Sequence, residues 1–152
     1  MSLFVSLTFY WFRGSPYTEA IVYFPDSNGN LGYPEVQFLP KTPHVENGIR
    51  LLVDEVLLGP IDLLALPILH DSTRISNIFY QEKTRSLVLS FTKEAMNIQE
   101  GVLTRVRTEE DISQAFSYLT HNLRANFPFL KNITFLIDGQ IPFVPPYTIV
   151  ME

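Results

Sequence analysis

The run from Thr108 to Asn126 constrains this chain more than any other stretch. Thr108 is a helix N-cap residue, because its hydroxyl can accept an orphan backbone N–H of the first turn. Glu109, Glu110 and Asp111 come next and place negative charge where the helix dipole favours it. Ile112, Ala115, Phe116, Leu119 and Leu123 then recur at helical spacing and mark one apolar stripe. Phe127 can extend that stripe just before Pro128 ends the helix. The stripe must be buried, so the rest of the chain has to supply a surface for it.

A second helix has the same logic. Val45, Ile49, Leu52, Val53, Val56 and Leu57 form its stripe, and Gly59-Pro60 supplies the stop. The strands are shorter. Ala20–Phe24 is β-branched and aromatic, and the turn formers Pro25 to Asn30 come after it. Val36–Leu39 is a weaker strand closed by Pro40 and Pro43. Residues 74–81 and 86–92 read as a hairpin around Glu82–Arg85, with Leu87, Leu89 and Phe91 on its core face. Ile133–Ile137 is the last strong strand, closed by Asp138-Gly139. Ile61–His70 reads as an apolar loop, since Pro67 disfavours a long helix.

These elements predict an α+β fold: a single open sheet of about four to five strands with two helices packed on one face. The strong elements alone spell β-α-β-β-α-β, so a split βαβ order is the topological alternative. The domain organisation expected is an N-terminal apolar segment over residues 1–19 and one domain over 20–152. Within the first, Leu3–Phe12 is too short to span a bilayer, which needs about 20 apolar residues. It ends in Tyr10-Trp11-Phe12 and then Arg13, as a membrane anchor often ends at the interface. Two readings stand: a clipped anchor, or an extra strand packing Phe4, Leu7 and Phe9 on the domain.

Charge and composition limit the function classes. At 46% hydrophobic and 18% charged residues the chain is not of disordered composition. A net charge of −5, with scattered Lys and Arg, argues against tracking nucleic-acid phosphates. The absence of cysteine removes disulfides, thiol nucleophiles and Cys-ligated metals.

No residue set predicts catalytic, cofactor-binding or metal sites. His44, His70 and His121 stand far apart with no companion ligand at metal spacing. His70-Asp71 could orient a general base, but it lacks a nucleophile motif and reads as turn chemistry. Asp26–Asn30 has the oxygen ligands of a calcium loop, yet its glycine is fourth rather than sixth and Gln37 stands twelfth. Glu109–Asp111 project in different directions from a helix and serve the N-terminus better than an ion.

Four segments in order resemble the sporulation and spore germination (GerMN) domain family. Ile21–Leu31 is similar to its opening strand and polar turn, and Ile49–Pro60 to its first helix with an L-L-x-G-P ending. Leu87–Asn97 resembles its V-x-V-D-F-S-K-E-F strand, and Ile133–Gln140 its closing F-L-I-D-G turn. The match spans about residues 20 to 141. Ser90 departs from the family's acidic residue before Phe91, and the segment after Pro60 is more apolar than the family pattern.

The resemblance implies a non-catalytic, extracytoplasmic domain of the bacterial cell envelope, tethered upstream or through Leu3–Phe12. It would act by contacting other envelope proteins or copies of itself, without cofactors. Unpaired sheet edges offer a physical route to such contacts; the polar helix face of Arg50, Asp54 and Glu55 is an alternative, but it reads first as a solvated face. The alternative is a small-ligand binder or enzyme whose site forms only in the fold; a deep pocket with converging carboxylates would favour it.

Overall fold

The computed structural model describes residues 15–100 and 103–143, so Leu3–Phe12 lies outside the described residues. Along the chain the elements are β1 (Tyr17–Pro25), β2 (Leu31–Pro40), α1 (Val45–Leu58), β3 (Ile75–Gln81) and β4 (Ser86–Phe91). A 3-10 turn (Lys93–Met96) leads into β5 (Asn97–Glu100), β6 (Leu103–Val106), α2 (Glu109–Asn126) and β7 (Asn132–Ile137).

The α+β class and the two helices stand as expected, but the single open sheet does not. The strands form three small sheets: β1–β2, β3–β4–β7 and β5–β6. The physical reason lies in α2. Asn122 Oδ1 accepts from Tyr23 N at 2.7 Å, and its Nδ2 donates to Tyr23 O at 2.9 Å. Asn126 does the same for Ile21, at 2.9 and 2.8 Å. Two side-chain amides one helical turn apart thus occupy the backbone groups that a third strand would use. The sheet stops at β1 because a helix has taken the neighbouring strand's place.

α2 begins with a capping box. Thr108 Oγ1 accepts from Asp111 N, and Asp111 Oδ2 accepts from Thr108 N at 2.8 Å. Its stripe of Ile112, Ala115, Leu119 and Leu123 is buried, while Phe116 is half-buried. α1 buries Ile49, Leu52, Val53, Val56 and Leu57. Both stripes meet one core with Leu87, Leu89 and Phe91 of β4 and Phe135 and Ile137 of β7. Phe116 stacks on Phe135 at 4.6 Å, and Phe91 lies 6.3 Å from Phe116 and 6.2 Å from Phe135.

β4 pairs with β3 antiparallel and with β7 parallel, Ser86 to Phe91 running beside Asn132 to Ile137. The chain leaves β7 through Asp138-Gly139, both at positive φ (52° and 75°). Ile137 and Gln140 exchange two backbone hydrogen bonds across them, the geometry of a two-residue I′ turn. Ser90 Oγ accepts from Gly139 N at 3.2 Å, so the serine that departs from the family pattern helps hold this turn.

β2 is longer than the four residues expected. Pro34 lies within it, opposite Tyr23. Tyr23 sends its N–H and C=O outward to Asn122, so this is a non-hydrogen-bonded pair and the nitrogen of Pro34 faces the free edge. There a proline costs the ladder nothing and blocks a further strand. The β5–β6 hairpin is an addition that sequence periodicity did not reveal.

Candidate interaction surface

The three histidines stay apart. His44 is the exposed N-cap of α1 without a side-chain cap bond, and the exposed ring of His121 meets Tyr23 edge-on at 4.9 Å. His70 Nδ1 accepts from Ser72 N at 3.2 Å and lies 3.0 Å from Asp71 Oδ1. The Ser72 hydroxyl donates to that same Asp71 oxygen at 3.0 Å. The serine is therefore turned to the acid rather than to the imidazole, and no base–nucleophile relay is assembled. Among the described residues, no group of three or more His, Asp or Glu is placed to hold a metal ion.

Asp26 Oδ1 accepts from Asn28 N at 2.8 Å and Asn30 N at 2.9 Å. These amides hold its carboxyl below the usual carboxylate value. Of Glu109, Glu110 and Asp111, only the last is engaged. Arg105 donates to Asp111 at 2.7 Å, and with the Thr108 amide it holds the carboxyl well below the ordinary range.

One cleft of about 630 Å³ opens between the Asp26–Gly29 turn, Leu66–Asp71 and the first turns of α2. Tyr118 at its wall donates to Gly29 O at 2.7 Å and ties the turn to the helix. Arg107 is half-buried in it, donating to Asn97 O at 3.2 Å and Ile68 O at 3.0 Å; burial lowers its pKa. The acids around the cleft do not act in concert: Asp26, Asp71 and Asp111 are each bonded to their own chain neighbours.

The outward surfaces are more unusual. The segment after α1 carries Ile61, Leu63 and Leu64 in solvent, 78%, 99% and 70% exposed, beside exposed Leu58. Leaving a leucine in water forgoes about 1.5–3 kcal/mol of burial, so a contiguous group of them is informative where a single one is not. This segment is also pinned. Glu35 Oε1 accepts from Ile61 N at 2.8 Å and from Asp62 N at 3.2 Å. Asp62 Oδ1 accepts from Leu64 N, and Leu66 N donates to Pro25 O, both at 2.8 Å. Buried Ala65, Ile68 and Leu69 anchor its C-terminal end in the core. The backbone is fixed so that the apolar side chains point away from the core.

A second apolar surface lies on the hairpin. The pairs Tyr17–Pro40, Glu19–Phe38, Ile21–Val36 and Tyr23–Pro34 share the outward side, because Ala20, Val22, Phe24 and Leu39 are buried on the other. Glu19 is the one charged residue on that side. β2 even reverses the normal alternation: Glu35 and Gln37 sit on the inner side, while Val36 and Phe38 are 56% and 64% exposed.

The apolar character after Pro60 was legible in the sequence, but its exposure was not. The roles of Asn122 and Asn126 went unseen altogether. The available signal was a pair of poor helix formers at i and i+4 inside an otherwise strong helix.

No family model matches the sequence, and no curated protein matches it. Solved structures do share its fold. The tandem GerMN domains of the sporulation protein GerM from Bacillus subtilis are similar with a TM-score of 0.57 and 18% identity. That match covers 86% of this chain and 43% of the tandem chain. A candidate lipoprotein from Clostridium perfringens is similar with a TM-score of 0.51 and 16% identity, over 82% of this chain and 76% of the other. The resemblance carried by the four sequence segments is therefore also a structural one: the chain has a GerMN-like α+β fold.

Proposed function

We propose that this domain works outside the cytoplasm, in the bacterial cell envelope, by binding other proteins rather than by catalysis. The fold likeness to a sporulation protein and to a candidate lipoprotein supports the compartment. The observation that carries the mode of action is the pinned apolar segment Ile61–Leu66. Four backbone and carboxylate bonds hold it in one shape before any partner arrives, so binding loses less conformational entropy than it would with a loose loop. Apolar anchors on a rigid support are what a partner's pocket recognises.

The experiment is a photo-reactive benzoyl-phenylalanine at position 63, irradiated in living cells of the source bacterium. A covalent adduct with a second envelope protein, lost when Ile61 and Leu64 are both changed to serine, is the expected result. Irradiation that yields the uncoupled chain alone would sink the proposal. The cleft supports the second reading, a small-ligand site, through the guanidinium of Arg107. A soluble anionic metabolite whose binding disappears in Arg107→Gln, with no adduct at position 63, would replace the first reading by the second.

A further inference from the structure

The outward side of the β1–β2 hairpin is built to lie against something flat and apolar, and we infer that it rests on the surface of a lipid bilayer. The first ground is orientation. A half-buried strand directs its apolar alternation to the side that loses water. β2 directs Val36 and Phe38 outward and Glu35 and Gln37 inward, and β1 adds Tyr17 and Ile21 to the same side.

The second ground is the state of the edges. Backbone groups left unpaired are expensive at a low-dielectric boundary. Asn122 and Asn126 satisfy Tyr23 and Ile21 on one edge; on the other, Pro34 and Pro40 remove two N–H groups, and those of Val36 and Phe38 are left to the water of the headgroup region. Such a hairpin is suited to contact through its face, since a helix covers one edge and two prolines interrupt the other.

The third ground is reach. Leu3–Phe12 is apolar and ends in Tyr10-Trp11-Phe12-Arg13, the residue order of a membrane interface. Tyr17 lies four residues beyond Arg13, a length that spans at most about 14 Å even when fully extended. A bilayer holding the aromatic cluster therefore holds the start of β1 beside its headgroups, and the side that the hairpin turns outward is already aromatic and aliphatic. The side carries no Lys or Arg and the chain's net charge is −5, so the surface it fits is zwitterionic rather than anionic.

This inference does not depend on the protein-binding reading of Ile61–Leu66, and the test separates the two. The 152-residue chain carrying Trp11→Phe and Phe38→Trp has its one indole on the hairpin. With phosphatidylcholine vesicles its emission should shift to the blue and be quenched by brominated acyl chains. Partitioning of the parent chain should fall about tenfold in Val36→Ser/Phe38→Ser, a pair of exposed side chains whose loss leaves the core intact. It should not rise with added phosphatidylglycerol, and Leu63→Ser should leave it unchanged.

An indole that is not quenched while the chain sediments with the vesicles would overturn the inference. So would a dimer without vesicles that dissociates in Val36→Ser/Phe38→Ser, since the face would then belong to a second copy. A loss of partitioning in Leu63→Ser alone would move the lipid contact to the other surface and overturn it as well.

Discussion

Asn122 is 1% exposed one turn before the end of α2, where asparagine is a poor helix former and its amide is costly to bury. Its place is explained by what it satisfies: the N–H and C=O of Tyr23, together with Tyr118 O. Asn122→Ala leaves the two part-buried backbone groups of Tyr23 without partners. It should lower stability by about 2–4 kcal/mol in urea unfolding, and Asn126→Ala, nearer solvent, by about 1 kcal/mol. Negligible losses at both sites would refute the surrogate-strand account. Asp111 makes a different prediction. Its folded pKa is depressed by Arg105 and the Thr108 amide, so its contribution is complete above the unfolded value near 3.8 and fades as pH falls below it. The stability gap between the parent and Asp111→Asn should therefore be constant from pH 7 to about 5 and shrink in stronger acid. A gap that widened in acid would have the wrong sign.

Among elements, α2, β4 and β7 hold the core through the stacked rings of Phe116, Phe91 and Phe135. Phe91 is fully buried, so Phe91→Ala should cost about 3–5 kcal/mol, with half-buried Phe116→Ala below it at about 2–3 kcal/mol. Thr108→Ala should cost only about 1 kcal/mol by loss of the cap. Thermal or urea unfolding of the three variants checks the order. Both helices were legible because their stripes repeat at 3.6 residues and their ends carry local signals, Thr108 at one and Gly59-Pro60 at the other. β2 was legible only in part: it read as Val36–Leu39 closed by Pro40, and it runs on from Leu31 through Pro34, whose nitrogen faces a free edge that a sequence does not display. β5–β6 is short and its Leu103–Val106 strand exposed, so it offers no apolar period to detect. The three-sheet division was invisible because a helix side chain, not a strand, decides where the first sheet ends.

At the scale of the whole molecule, the described residues include two groups of apolar side chains turned outward: the pinned segment after α1 and the outer side of the hairpin. Neither could be located from composition, which records how many apolar residues there are but not which of them the fold leaves wet. The cleft, by contrast, gathers residues that looked reactive in sequence, with Asp26 and Asp71 bonded within their own turns and Asp111 held by Thr108 and Arg105. The surrogate strand also ties distant parts of the chain to one clock. The amide protons of Ile21 and Tyr23 sit on the last strand of a two-stranded sheet, where exchange with solvent would ordinarily be quick. Here they are released only when α2 withdraws, so their protection reports the opening of a helix 99 residues away in sequence. In Thr108→Ala, deuterium should enter Tyr23 and the backbone of α2 faster by the same factor, while Val22, bonded across to β2, keeps its own slower pace.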